Sequence, residues 1–459
     1  MSSLPENVIA QIVKEVAARL NMQPGTGVFS TMEDAIAAAK HAQQTVKNMP
    51  MVQREKIIAA IRQATVENAE IFAKMAVEET GMGNVPHKIL KHKLVAEKTP
   101  GTEDIITRAF SGDSGLTLVE MSPFGVIGAI TPCTNPSETI ICNTIGMLAG
   151  GNTVVFNTHP AAIKTSIFAV EMINRASVSV GGVANIATTV AKPTIETGNI
   201  MMKHPDIALL VATGGPGLVT AVLSSGKRGI GAGAGNPPVL VDETADIKKA
   251  ARDIIDGATF DNNLPCIAEK AVVAVSKIAD ELMACMVNEQ NCYHANAAEL
   301  KKLEAVVFND KSLNRKCVGK SATDILQMIG VTAPTGTRCI VFEGAKEHPF
   351  IDEELMMPIL GMVRVADFNE GVKTAVWLEH GYRHSAHIHS TNVKRITEYA
   401  KALDTAILVK NAPSYAALGF GGEGYCTFTI ASRTGEGLTS AASFTKQRRC
   451  VMSESLCIR

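Results

Sequence analysis

The sequence predicts an α/β protein: a doubly wound parallel sheet, then a second α/β segment. Three observations carry that expectation. From residue 126 to residue 227, short apolar runs alternate with helix-like stretches, the rhythm of βαβ units. One apolar run, IALLVAT, leads into a glycine turn and then another helix-like stretch. The chain has 459 residues, 46% hydrophobic and 19% charged, enough for two or three domains with large cores.

Taken in order, LPENVIAQIVKEVAARL (residues 4–20) places Leu4, Val8, Ile9, Ile12, Val13, Val16 and Leu20 on one helical face. Pro5 suits a first turn, and NMQPGTG (21–27) reads as a linker. Two readings stand at this point: a helix folded on its own domain, or a tethered docking helix for a partner's groove. TMEDAIAAAKHAQQ and REKIIAAIRQATVENAEIFAKMAVEETG read as helical stretches. In SGLTLVEMSPFGVIGAITPCTNP, alternation at Leu116 and Leu118 gives way to a Pro-Gly turn and a buried-type strand, VIGAI (126–130). ETIICNTIGMLAGG, NTVVF, AAIKTSIFAVEMINRA, ANIATTV, ALLVAT and LVTAVLSSGK continue the helix–strand alternation. A second α/β segment opens at PPVLVDETADIKKAARDIIDGATF (237–260) and runs to about residue 425, before a Gly-, Ser- and Thr-rich tail.

Composition excludes several functions. Lys plus Arg is 44 and Asp plus Glu is 45, so the formal net charge of -1 makes no case for nucleic acid. Aromatics at 4% argue against a base-stacking platform. The ten cysteines form no C-x-x-C pair, which removes zinc-ribbon and thioredoxin readings and points to free thiols in a reducing, cytoplasmic-type compartment. No N-terminal secretory signal and no bilayer-length apolar run is expected.

Three stretches carry chemistry. IALLVATGGPG (207–217) is a strand entering a glycine turn and a helix, a place where backbone amides can approach a phosphate; a plain tight turn explains it equally well. TPCTNPSET (131–139) follows VIGAI, and Asn135 could donate its amide to an oxyanion or could simply form a turn before Pro136. FDNNLPCIAEK (260–270) places Cys266 after Pro265 in a loop before AVVAV (271–275). Cys142, Cys285 and Cys339 sit in apolar or helical runs as packing residues, whereas Cys133 also lies in a loop and rivals Cys266 for a reactive thiol. HGYRHSAHIHS (380–390) holds four histidines; with no ligand set completed nearby, one histidine as a proton carrier is the better reading than a metal cluster.

These motifs in this order resemble the aldehyde dehydrogenase superfamily, most closely its coenzyme-A-acylating branch of acetaldehyde and propionaldehyde dehydrogenases from bacterial microcompartments. SPFGVIGAITPCTNPSET, GNTVVFNTHPAA, VATGGPG, GAGAGNPPVLVDETAD, FDNNLPCIAEK, HPFIDEELMMPILG and LGFGGEGYCTFTIASRTGEGLTSAASFTKQRRCV carry the likeness, which covers about Gly27 to Val451. It implies an aldehyde dehydrogenase-like fold with a Rossmann-type cofactor domain (28–107, 124–236 and 426–439), a catalytic domain (237–425) and an oligomerisation arm (108–123 and 440–459). It implies Cys266 as nucleophile and Asn135 in the oxyanion hole. Thr131, Pro132, Asn157, His159, Pro160, Thr213, Gly214, Gly215, Gly217 and Glu354 would bind cofactor, and His384 or His387 is a candidate carrier for the coenzyme A proton. NAD and coenzyme A are the implied cofactor and co-substrate, in a homo-oligomer. Residues 4–20 then read as an encapsulation tag that meets shell proteins.

One departure bears on the reaction. Hydrolytic relatives carry a glutamate where this chain has Gly231, and without that base water is a poor acceptor while a thiol needs less help. A hydrolytic or semialdehyde dehydrogenase of the same fold is the runner-up; a catalytically idle scaffold docking through residues 4–20 is the reading from another class.

Overall fold

A computed structural model describes residues 26–310 and 312–458; the amphipathic segment 4–20 and most of the linker 21–27 lie outside them. Two all-parallel sheets organise the chain. The first has six strands in the order Val28–Phe29, Ala187–Val190, Thr153–Asn157, Val126–Ile130, Ile207–Thr213 and Gly229–Ala232. From Val126–Ile130 the chain winds outward through Thr153–Asn157 and Ala187–Val190, then returns to the other side at Ile207–Thr213. The order therefore reverses between two neighbouring strands, the place where ligands bind in such sheets.

The second sheet has seven strands in the order Tyr293–His294, Ile340–Glu343, Ile359–Val365, Ala271–Val275, Pro238–Val241, Ser385–His389 and Ile407–Lys410. Val126–Ile130 and Ala271–Val275 occupy the residues that their apolar runs indicate, since strands covered on both faces read as continuous Val, Ile and Ala. Helices cover both faces of both sheets. Ile57, Ile61, Ile140, Ile145 and Ile173 pack with Ile127, Ala129 and Phe156 on one face of the first sheet, and Met32, Ile36, Val219 and Val222 with Val155 and Leu210 on the other. Cys142, Cys285 and Cys339 are buried, as packing residues should be.

A third, antiparallel sheet joins Arg108–Gly112, Gly115–Pro123 and Thr445–Ser453, so distant stretches of chain pair from Thr445 with Pro123 to Ser453 with Gly115. Residues 426–439 turn back onto the first sheet: Thr213 and Thr429 hydroxyls lie 2.8 Å apart, and Gly231 N donates to Thr434 Oγ1 at 3.2 Å.

The helices differ from the sequence reading in two places. The stretch from Arg54 to Gly81 is two helices, Met51–Glu67 and Ala69–Thr80, because Asn68 leaves helical geometry and its side chain donates to Ala64 O at 2.8 Å. A further helix, Val85–Lys98, had no apolar stripe to announce it. Asn84 caps it by accepting from His87 N, and Pro86 sits in its first turn. Its buried face carries two lysines and an imidazole: Lys88, Lys91 and His92.

Candidate active site

The two sheets meet across a cavity of about 1160 Å³. The first sheet contributes the C-terminal ends of its strands. Val126–Ile130 delivers Thr131, Pro132, Cys133 and Asn135; Thr153–Asn157 delivers Asn157, His159 and Pro160; Ile207–Thr213 delivers Thr213 and the glycine turn 214–217. The second sheet contributes the opposite ends. Gly233 and Ala234 precede the strand Pro238–Val241, Cys266 precedes Ala271–Val275, and Glu354 precedes Ile359–Val365; these strands are neighbours in the sheet. Cysteine and asparagine, more than a hundred residues apart, thus share one cavity.

Cys266 follows a turn of unusual backbone. Asp261, Asn262 and Asn263 are all left-handed, with φ of 49, 55 and 66°, a conformation that Asp and Asn tolerate better than other side chains. The side chains fasten what the backbone strains. Asp261 Oδ1 accepts from Asn84 N at 2.9 Å, Asn262 Nδ2 donates to Gly319 O at 2.8 Å, and Asn263 Nδ2 donates to Ala258 O at 2.8 Å and Glu269 O at 3.0 Å. Three strained residues in a row, each pinned, hold the loop that ends in Cys266.

Part of the Cys266 side chain opens to the cavity, but it lies deep. Burial, with Glu354 nearby adding to it, pushes its thiol up to about 12, while Lys270 pulls the other way. Lys270 is itself buried, its pKa held below the ordinary lysine value by desolvation, and its Nζ donates to Asn263 O at 3.0 Å. Burial also raises the Glu354 carboxyl. The rival Cys133 lines the same cavity, its thiol raised by burial.

Asn135 stands at the N-cap of the helix Pro136–Ala149, yet its side chain makes no cap hydrogen bond. Its Oδ1 instead accepts from Lys91 Nζ at 2.5 Å, and its Nδ2 donates to Thr134 Oγ1 at 3.3 Å. An amide NH₂ carries two hydrogens, so one remains for a ligand. The turn-forming alternative for Asn135 is therefore not what its side chain does.

The glycine turn suits a phosphate. A Cβ on Gly215 or Gly217 would meet no atom within 4 Å, and the helix Pro216–Leu223 starts there. Thr131 and Thr158 line the cavity with buried hydroxyls that have no partner among the described residues, groups left for a ligand to satisfy. Asn157 is differently employed. Its Oδ1 accepts from Thr197 Oγ1 at 2.7 Å and its Nδ2 donates to Thr194 O at 3.2 Å, so both amide atoms brace the helix Ile195–Lys203. His159 accepts from Ala161 N at 3.1 Å through Nδ1, leaving Nε2 uncommitted.

His384 and His387 do not line the cavity; they lie fully buried behind the 266–267 loop. His387 Nε2 is 2.9 Å from Ile267 O, and the His384 ring packs beside Gly235 near the Cys266 carbonyl. Burial holds both imidazoles down to about 4, so they are neutral at pH 7. Among the described residues, His384 Nε2 and His387 Nδ1 have no hydrogen-bond partner.

Sequence reasoning missed two things. Arg315, exposed and on the rim, is the one guanidinium among the lining residues. Lys88 and Lys91, behind Asn135, sit on a helix that the sequence reading passed over. The spacing of Lys88, Lys91 and His92 at i, i+3 and i+4 was the available signal, but it describes surface ions equally well. Among the described residues, no group of three or more His, Cys, Asp and Glu could hold a metal, and no helix is long and apolar enough to cross a membrane.

Comparison with known proteins gives a consistent picture. A sequence model of the aldehyde dehydrogenase family matches residues 23–442. The propanal dehydrogenase (CoA-propanoylating) of Salmonella typhimurium is 44% identical over 459 residues, covering 99% of each chain. A propionaldehyde dehydrogenase from the fucose utilisation microcompartment of Clostridium phytofermentans superposes with a TM-score of 0.94 at 74% identity, over 94% of this chain and 100% of that one. A propionaldehyde dehydrogenase of Rhodopseudomonas palustris, solved with bound CoA and an acylated cysteine, superposes with a TM-score of 0.93 at 54% identity, over 95% and 100%.

Proposed function

The chain belongs to the aldehyde dehydrogenase family, and from that premise we propose that it is a coenzyme-A-acylating enzyme that oxidises a short aliphatic aldehyde, propanal or acetaldehyde, to the acyl-CoA. The observation that carries the reading is the shared cavity, with Cys266 on one wall and Asn135 and the glycine turn on the other. Glu354 is the only carboxylate among the lining residues. A side chain at Gly231 could not supply another without repacking: its Cβ would meet Val219 Cγ1 at 2.6 Å, on the helix side of the strand. A site without a dedicated base for water favours a thiol acceptor.

The Cys266 thiolate, its proton having passed to water in the cavity, adds through Sγ to the aldehyde carbonyl carbon. The oxyanion is held by Asn135 Nδ2 and the Cys266 N–H; one such donor is worth roughly 3 kcal/mol. The glycine turn, Thr131 and Thr158 are the groups that would hold NAD, which would supply the hydride acceptor for the oxidation. The acyl group then rests on Cys266 as a thioester. The thiolate of coenzyme A attacks that carbonyl carbon, the C–S bond to Cys266 breaks, and acyl-CoA leaves, an order that predicts ping-pong kinetics. His384 or His387, both behind the 266–267 loop, is the candidate carrier of the coenzyme A proton. The segments 108–123 and 440–459 form an arm for subunit contacts, supported by exposed Phe110 and Val451 on its strands. Residues 4–20 direct the enzyme into a microcompartment.

The test is NADH formation from propanal with and without coenzyme A. Cys266→Ala should abolish acyl-CoA formation with NAD still bound, and Cys133→Ala should retain activity. The reverse pattern makes Cys133 the nucleophile. Equal rates without coenzyme A identify the hydrolytic runner-up, and a folded wild-type chain inert toward aldehydes identifies the scaffold.

A further inference from the structure

Behind Asn135 lies a closed group of charges. Lys88, Lys91 and Glu138 are fully buried, as is Asp261. Lys91 Nζ lies 2.6 Å from Asp261 Oδ2 and 3.0 Å from Glu138 Oε1, and donates to Asn135 Oδ1 at 2.5 Å. Of these contacts the one to Asn135 has hydrogen-bond geometry, while Asp261 and Glu138 are ion-pair neighbours of the same ammonium. Burial of Lys91 is offset by its two carboxylates, which keep it protonated, and the lysines hold the Glu138 carboxyl down to about 2.

The consequence falls on Asn135. An asparagine at an N-cap ordinarily turns its oxygen onto the first amides of its helix. Here the oxygen is taken by a cation, so the amide presents nitrogen rather than oxygen to the cavity. The two ends of the amide are nearly the same shape, and only the hydrogen-bond partner distinguishes them. The same ammonium also grips Asp261, the first residue of the left-handed turn that leads to Cys266. One atom thereby connects the oxyanion donor, delivered by the first sheet, to the nucleophile loop, delivered by the second.

We infer that Lys91 is a positioning residue for the acylation step: it fixes the Asn135 amide with Nδ2 toward the oxyanion and holds that donor in register with the turn bearing Cys266. The inference rests on Asn135 being the oxyanion donor. Lys88 is the internal control. It is equally buried and its Nζ reaches Asp261 Oδ2 at 3.1 Å and Thr134 O at 3.2 Å, but it does not touch Asn135.

The experiment compares Lys91→Met, Lys88→Met, Asn135→Ala and the double variant Lys91→Met/Asn135→Ala. The readouts are the single-turnover rate of NADH formation, KM for propanal, NAD affinity and melting temperature. Lys91→Met should slow the single turnover about 10²-fold, in the range of a lost oxyanion donor, with KM and NAD affinity within about threefold. Lys88→Met should lose comparable thermal stability but much less rate. In the Asn135→Ala background, Lys91→Met should add no further loss of rate. Equal rate losses in Lys91→Met and Lys88→Met, or a full further loss in the double variant, overturn the inference and leave a structural ion pair. A fully active Asn135→Ala overturns the oxyanion reading instead. If Lys91→Met does not fold, Lys91→Met/Glu138→Gln removes one charge of each sign and is read by the same criteria.

Discussion

The titration of Cys266 yields a prediction that can be worked from the structure. Its thiol is pushed up to about 12, so at pH 8 only about one part in 10⁴ is thiolate, a cost of about 5 kcal/mol at 1.36 kcal/mol per unit. A free peptide thiol, with a pKa of about 8.5, is roughly a quarter thiolate at that pH. Iodoacetamide reacts with the thiolate, so Cys266 in the ligand-free enzyme should alkylate about 10³-fold more slowly than a peptide thiol. Its rate should rise about tenfold per pH unit from pH 7 to pH 10 without a plateau. The assay is timed alkylation with peptide mass spectrometry, following Cys266 and Cys133 separately; Cys266→Ala confirms the assignment of the peptide. Burial is the first cause and Glu354 the second, so Glu354→Gln should speed alkylation, while Lys270→Met, which removes the opposing cation, should slow it. A plateau below pH 8.5 in the ligand-free enzyme would refute the reasoning, because a neighbouring base would then already hold the thiol proton.

Two further predictions concern the rest of the molecule. Burial holds His384 and His387 down to about 4 and His389 to about 3, so the folded chain binds fewer protons there than the unfolded chain. That stability is present above about pH 6.5 and is lost as pH falls toward 4. Glu269, raised to about 8 by burial, works in the opposite sense: its contribution is present below about pH 4.5 and is lost as pH rises through 8. Urea midpoints should therefore fall as pH drops from 6.5 to 4.5, where lowered imidazoles outnumber raised carboxyls, and more steeply in Glu269→Gln; a flat profile would contradict the burial of the histidines. Removing residues 1–20 should leave kcat with free substrates unchanged and abolish co-sedimentation with shell proteins. A loss of activity in the shortened chain would make that segment structural.

How much was legible depended on what each residue packs against. VIGAI and AVVAV declare themselves because a strand covered on both faces must be apolar at every position. Cys266 and Cys133 could not be separated by local reading, since both sit in loops, and the cavity keeps both. The helix Val85–Lys98 was silent for the opposite reason. Its functional face is ionic, and Lys88 and Lys91 in HKILKHKLVAEK look like solvent exposure until Asp261, 170 residues on from Lys91, is placed against them. The break at Asn68 is likewise a matter of one side chain turning back on its own helix.

The sequence by itself determined the alternation of strands and helices, the glycine turn after IALLVAT, the Asp-Asn-Asn stretch suited to left-handed backbone, and the glycine at 231. All of these are set by neighbours along the chain, where backbone geometry and side-chain shape act over a few residues. Only the tertiary structure decided which ends of the two sheets face each other, that Asn157 braces a helix, that a side chain at 231 would meet Val219, and that the oxygen of Asn135 belongs to Lys91. Those outcomes depend on which charge or amide reaches which across long stretches of chain. A buried ion is stable only beside its partner, and that partner is chosen by the fold.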